Sequence, residues 1–189
     1  KALLVVREMA DQLALELVDK ELVTDQVVLT VGYDIENLRD PSIRGRYHGE
    51  VKKDYYGRMV PKHAHGTANL PTATSSTKEI LEAVTGLYEE IVNPLLFVRR
   101  ISLTANKVVR EKDVTVGQSF EQLDLFTDYA ALEVKKKEVQ EERNREKSVQ
   151  KAVLDIKKKY GKNAVLKGMN LIEGATAVTR NRQIGGHKA

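Results

Sequence analysis

The stretch QVVLTVGYDI, residues 26–35, carries the clearest strand pattern in the chain. One set of alternate side chains is large and apolar, namely Val27, Leu29, Val31 and Tyr33. The intervening set is smaller, namely Val28, Thr30 and Gly32. A period of two with one apolar face predicts a β-strand that covers a core on that face only. This pattern is typical of antiparallel sheets, whose second face is free to meet solvent or a partner.

Two segments on either side of this strand show the period of amphipathic helices. The first spans residues 2–22, with Val6, Met9, Ala10, Leu13 and Leu17 on its apolar face and Arg7, Asp11 and Glu16 opposite. The second begins after Ser76, which is predicted to form a capping box with Glu79, and it ends before Asn93-Pro94. Its apolar face holds Ile80, Val84, Leu87 and Ile91.

Two further strands complete the predicted body. Residues 67–75 are predicted to form a short strand, and Pro71 predicts that it lies at a sheet edge or that the proline stands at a strand end. Residues 95–109, LLFVRRISLTANKVV, form a longer strand. Its core-facing residues would be Phe97, Ile101 and Leu103, and its other face would hold Arg100, Ser102 and Thr104. The segments together predict an α+β fold, a small antiparallel sheet with two helices on one face. The second face is small, polar and cationic, so it suits a phosphate backbone or simple solvation.

Residues 36–66 contain prolines and glycines without a sustained period and are predicted to be a long connection. Within residues 39–65, seven Lys and Arg residues accompany three acidic residues, three histidines and three tyrosines. Cations mixed with aromatic rings suit single-stranded or distorted nucleic acid. Alternatively, the tyrosines (Tyr47, Tyr55 and Tyr56) fold the loop back onto the body.

Composition excludes several classes of chemistry. The 189 residues contain no cysteine, which rules out disulfides, thiolate metal ligands and cysteine nucleophiles. No apolar run reaches the roughly 18–20 residues that span a membrane, and no signal peptide is recognisable, so no membrane partner is predicted. No P-loop, nucleophile elbow or strand-borne carboxylate pair is found, so we predict neither catalytic residues nor a metal site. A zinc site made of His48, His63 and His65 is an alternative.

The second part of the chain is strongly basic. Residues 1–134 hold 16 Lys and Arg against 21 Asp and Glu, whereas residues 135–189 hold 15 against 6. A basic tail suggests a polyanionic partner such as nucleic acid, or else a helix kept soluble by its charge. Residues 128–160 are predicted to be helical, with Gly161 ending the helix. The residues after Gly161 could pack against a partner or lie disordered.

The pentapeptide QLDLF stands between the predicted domain and this basic helix. It comprises Gln122, Leu123, Asp124, Leu125 and Phe126. Two leucines and a phenylalanine could anchor in the groove of another protein, with the amide of Gln122 at the rim of the pocket. The same side chains could instead form a clasp on their own domain, and the residues alone favour the clasp.

These segments resemble the little-finger domain of Y-family translesion DNA polymerases, in particular the bacterial UmuC-like (ImpB/MucB/SamB) DNA-repair proteins. The resemblance rests on the order of QVVLTVGYD, a long loop, TKEILEAVTGLYEEIV and LLFVRRISLT, and on the C-terminal KKYGKNAVLKGMN. Its most specific element is QLDLF, which matches the family's sliding-clamp-binding pattern Gln-Leu-Ser/Asp-Leu-Phe.

The resemblance implies three parts: a DNA-binding little finger over residues 1–110, a linker with the clamp motif over 111–128, and a basic helical tail over 129–189. It implies a sequence-independent grip on damaged primer–template DNA and a tether, through residues 122–126, to the bacterial β sliding clamp. The implied DNA-binding residues are Thr30, Arg44, Arg46, Lys52, Lys53, Arg58, Arg99, Arg100, Ser102, Thr104 and Lys107. The expected setting is SOS damage tolerance in the cytoplasm, at the nucleoid.

Two features separate this chain from a whole polymerase. The family's catalytic palm, whose carboxylates hold Mg²⁺, lies N-terminal to the little finger, and the chain begins at Lys1 rather than Met. We therefore interpret the chain as a non-catalytic fragment with no cofactor of its own. The family domain also begins with a strand before its first helix, so we expect an open sheet edge that the tail or a second copy could complete. The alternatives are a stand-alone clamp- or nucleic-acid-binding adaptor and a small metalloenzyme using the three histidines.

Overall fold

The computed structural model describes residues 1–114, 129–184 and 187–188. The first part contains helix α1 (Ala2–Asp19), strand β1 (Leu22–Tyr33), one-turn helices α2 (Glu36–Arg39) and α3 (Pro41–Arg44), strands β2 (Val51–Lys53), β3 (Met59–Pro61) and β4 (Ala64–Thr74), helix α4 (Thr77–Ile91), and strands β5 (Val98–Asn106) and β6 (Val109–Arg110). The second part contains helix α5 (Tyr129–Tyr160), a 3-10 turn (Gly168–Asn170), helix α6 (Ala177–Arg180) and strands β7 (Gln183–Ile184) and β8 (His187–Lys188).

The sheet is antiparallel, and β1 is its central strand. Its order is β4-β1-β5, and β6 pairs with the first residues of β1. Opposite Thr30 of β1 stand His65 of β4 and Ser102 of β5, and opposite Gly32 stands Arg100. Helices α1 and α4 cover the other face of the sheet. The predicted α+β fold, with two helices on one face and a helical C-terminal segment, is confirmed.

The core lies between β1 and these two helices. The apolar set of β1 is buried as its alternation predicts, and α4 buries Ile80, Val84 and Leu87 against it. Helix α1 contributes Val6, Ala10, Ala14 and Leu17. The strand starts at Leu22, inside the predicted helix, because Glu21 adopts φ 54° and breaks the helical path.

The pattern-based assignment of Asp11 and Phe97 is wrong. Asp11, assigned to the solvent face of α1, is only 8% exposed because the C-terminal segment covers that face and Lys167 pairs with it. Phe97, assigned to the core, is 59% exposed because β5 begins only at Val98. Ile101 and Leu103 do pack against the core, as predicted.

The connection between β1 and β4 contains structure that its sequence pattern does not show. Two one-turn helices and the β2–β3 hairpin occupy residues 36–61. Each element is three or four residues long, which is too short to display a period. Strand β4 lies at an edge of the sheet, as Pro71 predicts, but begins already at Ala64. Among the described residues, which include most of the tail, no strand pairs with the outer side of β4 or of β5.

Helix α5 packs against the start of α4 through polar side chains. Glu146 accepts hydrogen bonds from Ser76 Oγ (2.5 Å) and Lys78 N (3.0 Å), and Gln150 donates to Ser75 O (3.0 Å). The predicted capping box is therefore only half present. Ser76 Oγ accepts from Glu79 N, as predicted, but the Glu79 carboxylate turns to Arg143 Nε at 2.7 Å. None of the described helices is both long and apolar enough to cross a membrane.

Gly66 allows α4 to approach β4 closely. A Cβ atom at this position would lie 2.8 Å from Leu87 Cδ1 and 3.0 Å from Ile91 Cγ2. We expect Gly66→Val to lower the free energy of unfolding by about 1–3 kcal/mol, measured by urea denaturation, because the added atoms overpack this contact. Gly86→Ala is the control, since its added Cβ meets no atom within 4 Å beyond its chain neighbours and the backbone of its own helix, and alanine favours a helix. Unchanged stability of Gly66→Val would contradict the close packing.

Candidate nucleic-acid interface

The face of the sheet away from the helices is polar and free of acidic side chains. It is formed by Gln26, Val28, Thr30 and Gly32 of β1, His65, Thr67 and Asn69 of β4, and Arg100, Ser102, Thr104 and Asn106 of β5. We call this set the open face. Cross-strand hydrogen bonds order it: Thr30 Oγ1 lies 2.9 Å from His65 Nδ1, and Gln26 Nε2 donates to Asn69 Oδ1 at 2.8 Å. A surface of hydroxyl, amide and guanidinium groups favours phosphate contacts.

A basic groove continues the open face at its Gly32 end. The β2–β3 hairpin stands beside this end, and the groove between them has a volume of about 650 Å³. Its lining includes six cations: Lys52, Lys53, Arg58, Lys62, Arg99 and Arg100. Gly32 leaves the floor of the groove without a side chain.

Acidic neighbours orient some of these cations. Arg58 Nε donates to Asp54 Oδ2 at 2.8 Å, and this bond is the main reason that the pKa of Asp54 is lowered. Arg99 approaches Asp34 Oδ2 at 3.2 Å. The pKa of Asp34 is lowered first by the backbone N–H of Glu36 and then by Arg99. Both carboxylates therefore stay ionised at neutral pH and hold their arginines in place.

The remaining cations leave the groove with an excess of positive charge. Lys52 and Lys62 share the carboxylate of Glu50, at 3.4 Å and 2.7 Å. Lys53 and Arg100 have no ion-pair partner among the residues that the structure describes. These two side chains are the ones most available to an incoming anion.

Asn37, which no sequence motif marks, positions the arginines of β5. Its fully buried side chain donates to Asp34 O (2.8 Å) and Phe97 O (2.9 Å) and accepts from Phe97 N (2.7 Å). These bonds set where β5 starts and therefore where Arg99 and Arg100 point. An isolated asparagine in a loop has no pattern that marks such a role.

The structure brings most of the predicted DNA-binding residues together. Seven line the groove: Thr30, Lys52, Lys53, Arg58, Arg99, Arg100 and Ser102. Thr104 lies on the open face two residues beyond Ser102. Arg44 and Arg46 are exposed on and just after α3, outside the groove lining, and Lys107 lies in the turn between β5 and β6 with φ 49°.

Of the three tyrosines in the connection between β1 and β4, one folds back onto the body and two are exposed. Tyr47 folds back: it packs against the core, and its hydroxyl donates to Glu50 O at 2.8 Å. Tyr55 and Tyr56 instead point into solvent at the tip of the β2–β3 hairpin.

The histidines give no support to the zinc alternative. His65 is engaged by Thr30 on the open face, and His63 lines the groove. Within residues 1–114, 129–184 and 187–188, no three His, Asp or Glu side chains are grouped so that they could hold a metal ion. The other predicted site, QLDLF at residues 122–126, lies outside the described residues.

The chain therefore contains an α+β domain whose sheet is covered by helices on one face and is polar and cationic on the other. Residues 1–125 match the C-terminal domain of the impB/mucB/samB family. Because the match covers most of the chain, the chain belongs to this family of UmuC-like DNA-repair polymerases, and the resemblance drawn from the sequence is confirmed. No curated protein matches the chain.

Proposed function

We propose that this chain grips DNA and tethers a translesion polymerase to the sliding clamp during damage tolerance. The observation that carries the DNA-binding half is the open face, which lacks acidic side chains and runs into the basic groove. Contacts to phosphates fix the position of the protein on the DNA but do not read the base sequence. Binding would therefore be independent of sequence and sensitive to salt. Its place of work would be chromosomal DNA in the cytoplasm.

Strand β5 supplies the most regular set of phosphate contacts. Arg100, Ser102 and Thr104 are alternate residues of one strand and point to the same side. Successive members of such a set are about 6.8 Å apart, so their donors form an ordered row along the strand. Lys53 lines the same groove as Arg100 and Ser102. The Mg²⁺-dependent polymerisation itself is assigned to the catalytic core of the parent protein.

The tether half of the proposal rests on QLDLF. A short motif of this kind can dock its leucines and phenylalanine in a preformed groove of the clamp. Holding the polymerase on the clamp would raise its effective concentration at the primer terminus without a new contact to DNA. A second copy of the chain pairing with the outer side of β4 or β5 is a further proposal, which analytical ultracentrifugation tests.

Removing the two available cations of the groove tests the DNA-binding half. We expect Lys53→Ala/Arg100→Ala to weaken binding to a short duplex by about tenfold or more at low salt, and to reduce the slope of log K against log[salt] by about 0.9 for each lost phosphate contact. Fluorescence anisotropy at several NaCl concentrations, with two duplexes of unrelated sequence, measures both quantities.

The matched control also removes one lysine and one arginine, but from helix α1 and its C-terminal end, on the other side of the sheet. Arg7 and Lys20 are exposed on and at the end of α1, away from the open face. Arg7→Ala/Lys20→Ala is expected to change duplex affinity by less than about twofold, since only general charge is altered. If both double variants lose affinity equally, the open face is not the DNA-binding surface.

A further inference from the structure

Two tyrosines at the tip of the β2–β3 hairpin expose their rings to solvent. Tyr55 is 96% exposed and Tyr56 is 76% exposed. The rings stand edge to face, with centroids 5.4 Å apart and an interplanar angle of 88°. The Arg58 guanidinium lies over Tyr56, 5.0 Å from the ring centroid. Neither ring belongs to the core or to the side chains packed against it.

The tip is ordered by its own hydrogen bonds. Asp54 Oδ1 accepts from the backbone N–H groups of Tyr56 and Arg58, both at 2.9 Å, while Asp54 Oδ2 accepts from Arg58 Nε. Asp54 N donates to Arg58 O at 2.8 Å, and Gly57 takes the positive φ of 75° that the turn requires. A preordered tip loses little conformational freedom when its rings meet a partner.

The charge and the aromatic rings around the hairpin tip indicate which kind of partner it can bind. Both tyrosines line the same groove as the six cations, so the partner carries negative charge. A ring beside a cationic channel stacks on bases whose faces are free, as in proteins that bind single strands. Bases inside a duplex are already stacked on each other and offer no free face. An unpaired DNA strand therefore fits both the charge and the rings.

We propose that the hairpin tip is a second DNA contact, at which Tyr55 and Tyr56 stack on bases of an unpaired strand that continues from the duplex held on the open face. The inference rests on the proposed function, which it extends from duplex to single-stranded DNA. Arg58 covers part of the Tyr56 ring, and the high exposure of both tyrosines leaves ring surface for stacking. Lys52 and Lys53 of β2 line the same groove and can contact the phosphates of this unpaired DNA strand.

Three DNA probes and two hairpin variants test this contact in the full chain. The probes are a blunt duplex, a single-stranded oligonucleotide, and a duplex with a single-stranded overhang carrying 2-aminopurine. For Tyr55→Ala/Tyr56→Ala we expect an affinity loss of about tenfold or more for the single strand, no more than about twofold for the blunt duplex, and loss of the 2-aminopurine quenching. Tyr55→Phe/Tyr56→Phe keeps the rings and is expected to retain affinity and quenching.

The controls separate stacking from general effects. Tyr160→Ala removes another exposed ring, 67% exposed at the end of α5, and is expected to leave binding of the single strand unchanged. Equal losses for single strand and duplex in the alanine variant, or no loss for either, would overturn the stacking contact. If the wild type binds single strands through the tyrosines but does not bind duplex, the proposed duplex grip fails and the hairpin contact stands.

Discussion

Glu8→Ala is expected to detach the C-terminal segment from α1 and to lower the free energy of unfolding by about 3–5 kcal/mol. The side chain of Glu8 is 0% exposed. Its carboxylate accepts from Asn170 Nδ2 (3.1 Å) and from Thr176 N and Oγ1 (both 2.9 Å), and Arg180 lies at 3.5 Å. Without the carboxylate, these donors and a partly buried guanidinium lose their shared acceptor, which is the costly way to break a buried polar cluster.

Chemical denaturation measures the loss of stability, and hydrogen exchange of residues 163–182 measures detachment. Glu173→Ala is the matched control, because Glu173 also links the tail to the start of the chain through Lys1, but both side chains are exposed. Exposed ion pairs contribute about 0–1 kcal/mol, so the control is expected to be nearly neutral. Similar losses in both variants would show that the buried carboxylate does not hold the tail.

The charge of Glu8 predicts the direction of the pH dependence. Burial alone raises its pKa, but the hydrogen bonds from Thr176 and Asn170 outweigh burial, so its pKa lies below the ordinary value of 4.5. A carboxyl whose pKa is lower in the folded state stabilises the fold above its unfolded pKa and loses this contribution as the pH falls through the folded pKa. The stability difference between wild type and Glu8→Gln is therefore expected to shrink below pH 4.5.

Leu125→Ala/Phe126→Ala is expected to reduce binding to a bacterial β sliding clamp by more than about a hundredfold. Burial of a leucine or phenylalanine side chain contributes about 1.5–3 kcal/mol each, and the pair would supply most of the affinity of so short a motif. Surface plasmon resonance with immobilised clamp measures the loss. DNA binding is expected to stay unchanged, since the DNA contacts proposed above are made by other residues.

Clamp binding and folding stability also distinguish the tether from non-specific stickiness and from a clasp on the chain's own domain. Leu171 and Ile172 are an exposed apolar pair in the tail, 71% and 57% exposed, so Leu171→Ala/Ile172→Ala tests non-specific stickiness. Clamp affinity that survives Leu125→Ala/Phe126→Ala would remove the tether from the proposal. Retained clamp affinity together with lost folding stability would instead identify QLDLF as a clasp on its own domain.

The layout of the body follows from local patterns. The alternation in β1 and the helical period of α4 predict which side chains are buried, and the structure places Leu29 and Ile80 in the core accordingly. Hydrophobic patterns do not predict burial where an element is very short or where it packs against other elements on two sides. The hairpin strands have three residues each, and α1 lies against both the sheet and the tail, so Asp11 is buried on a face that looks solvent-exposed.

The amino-acid order is sufficient for the apolar faces of β1 and α4 and for the α+β class, because hydrophobic period depends on neighbours a few positions away. The family follows from the resemblance of whole segments and motifs. The partners of polar side chains depend on the assembled fold. Glu79 leaves its own helix start for Arg143, Glu8 meets Thr176, and Asn37 sets the start of β5 at Phe97. Each of these bonds joins residues at least 60 positions apart. A local pattern shows that a polar group lies on a given face, whereas three-dimensional packing determines which donor or acceptor satisfies it.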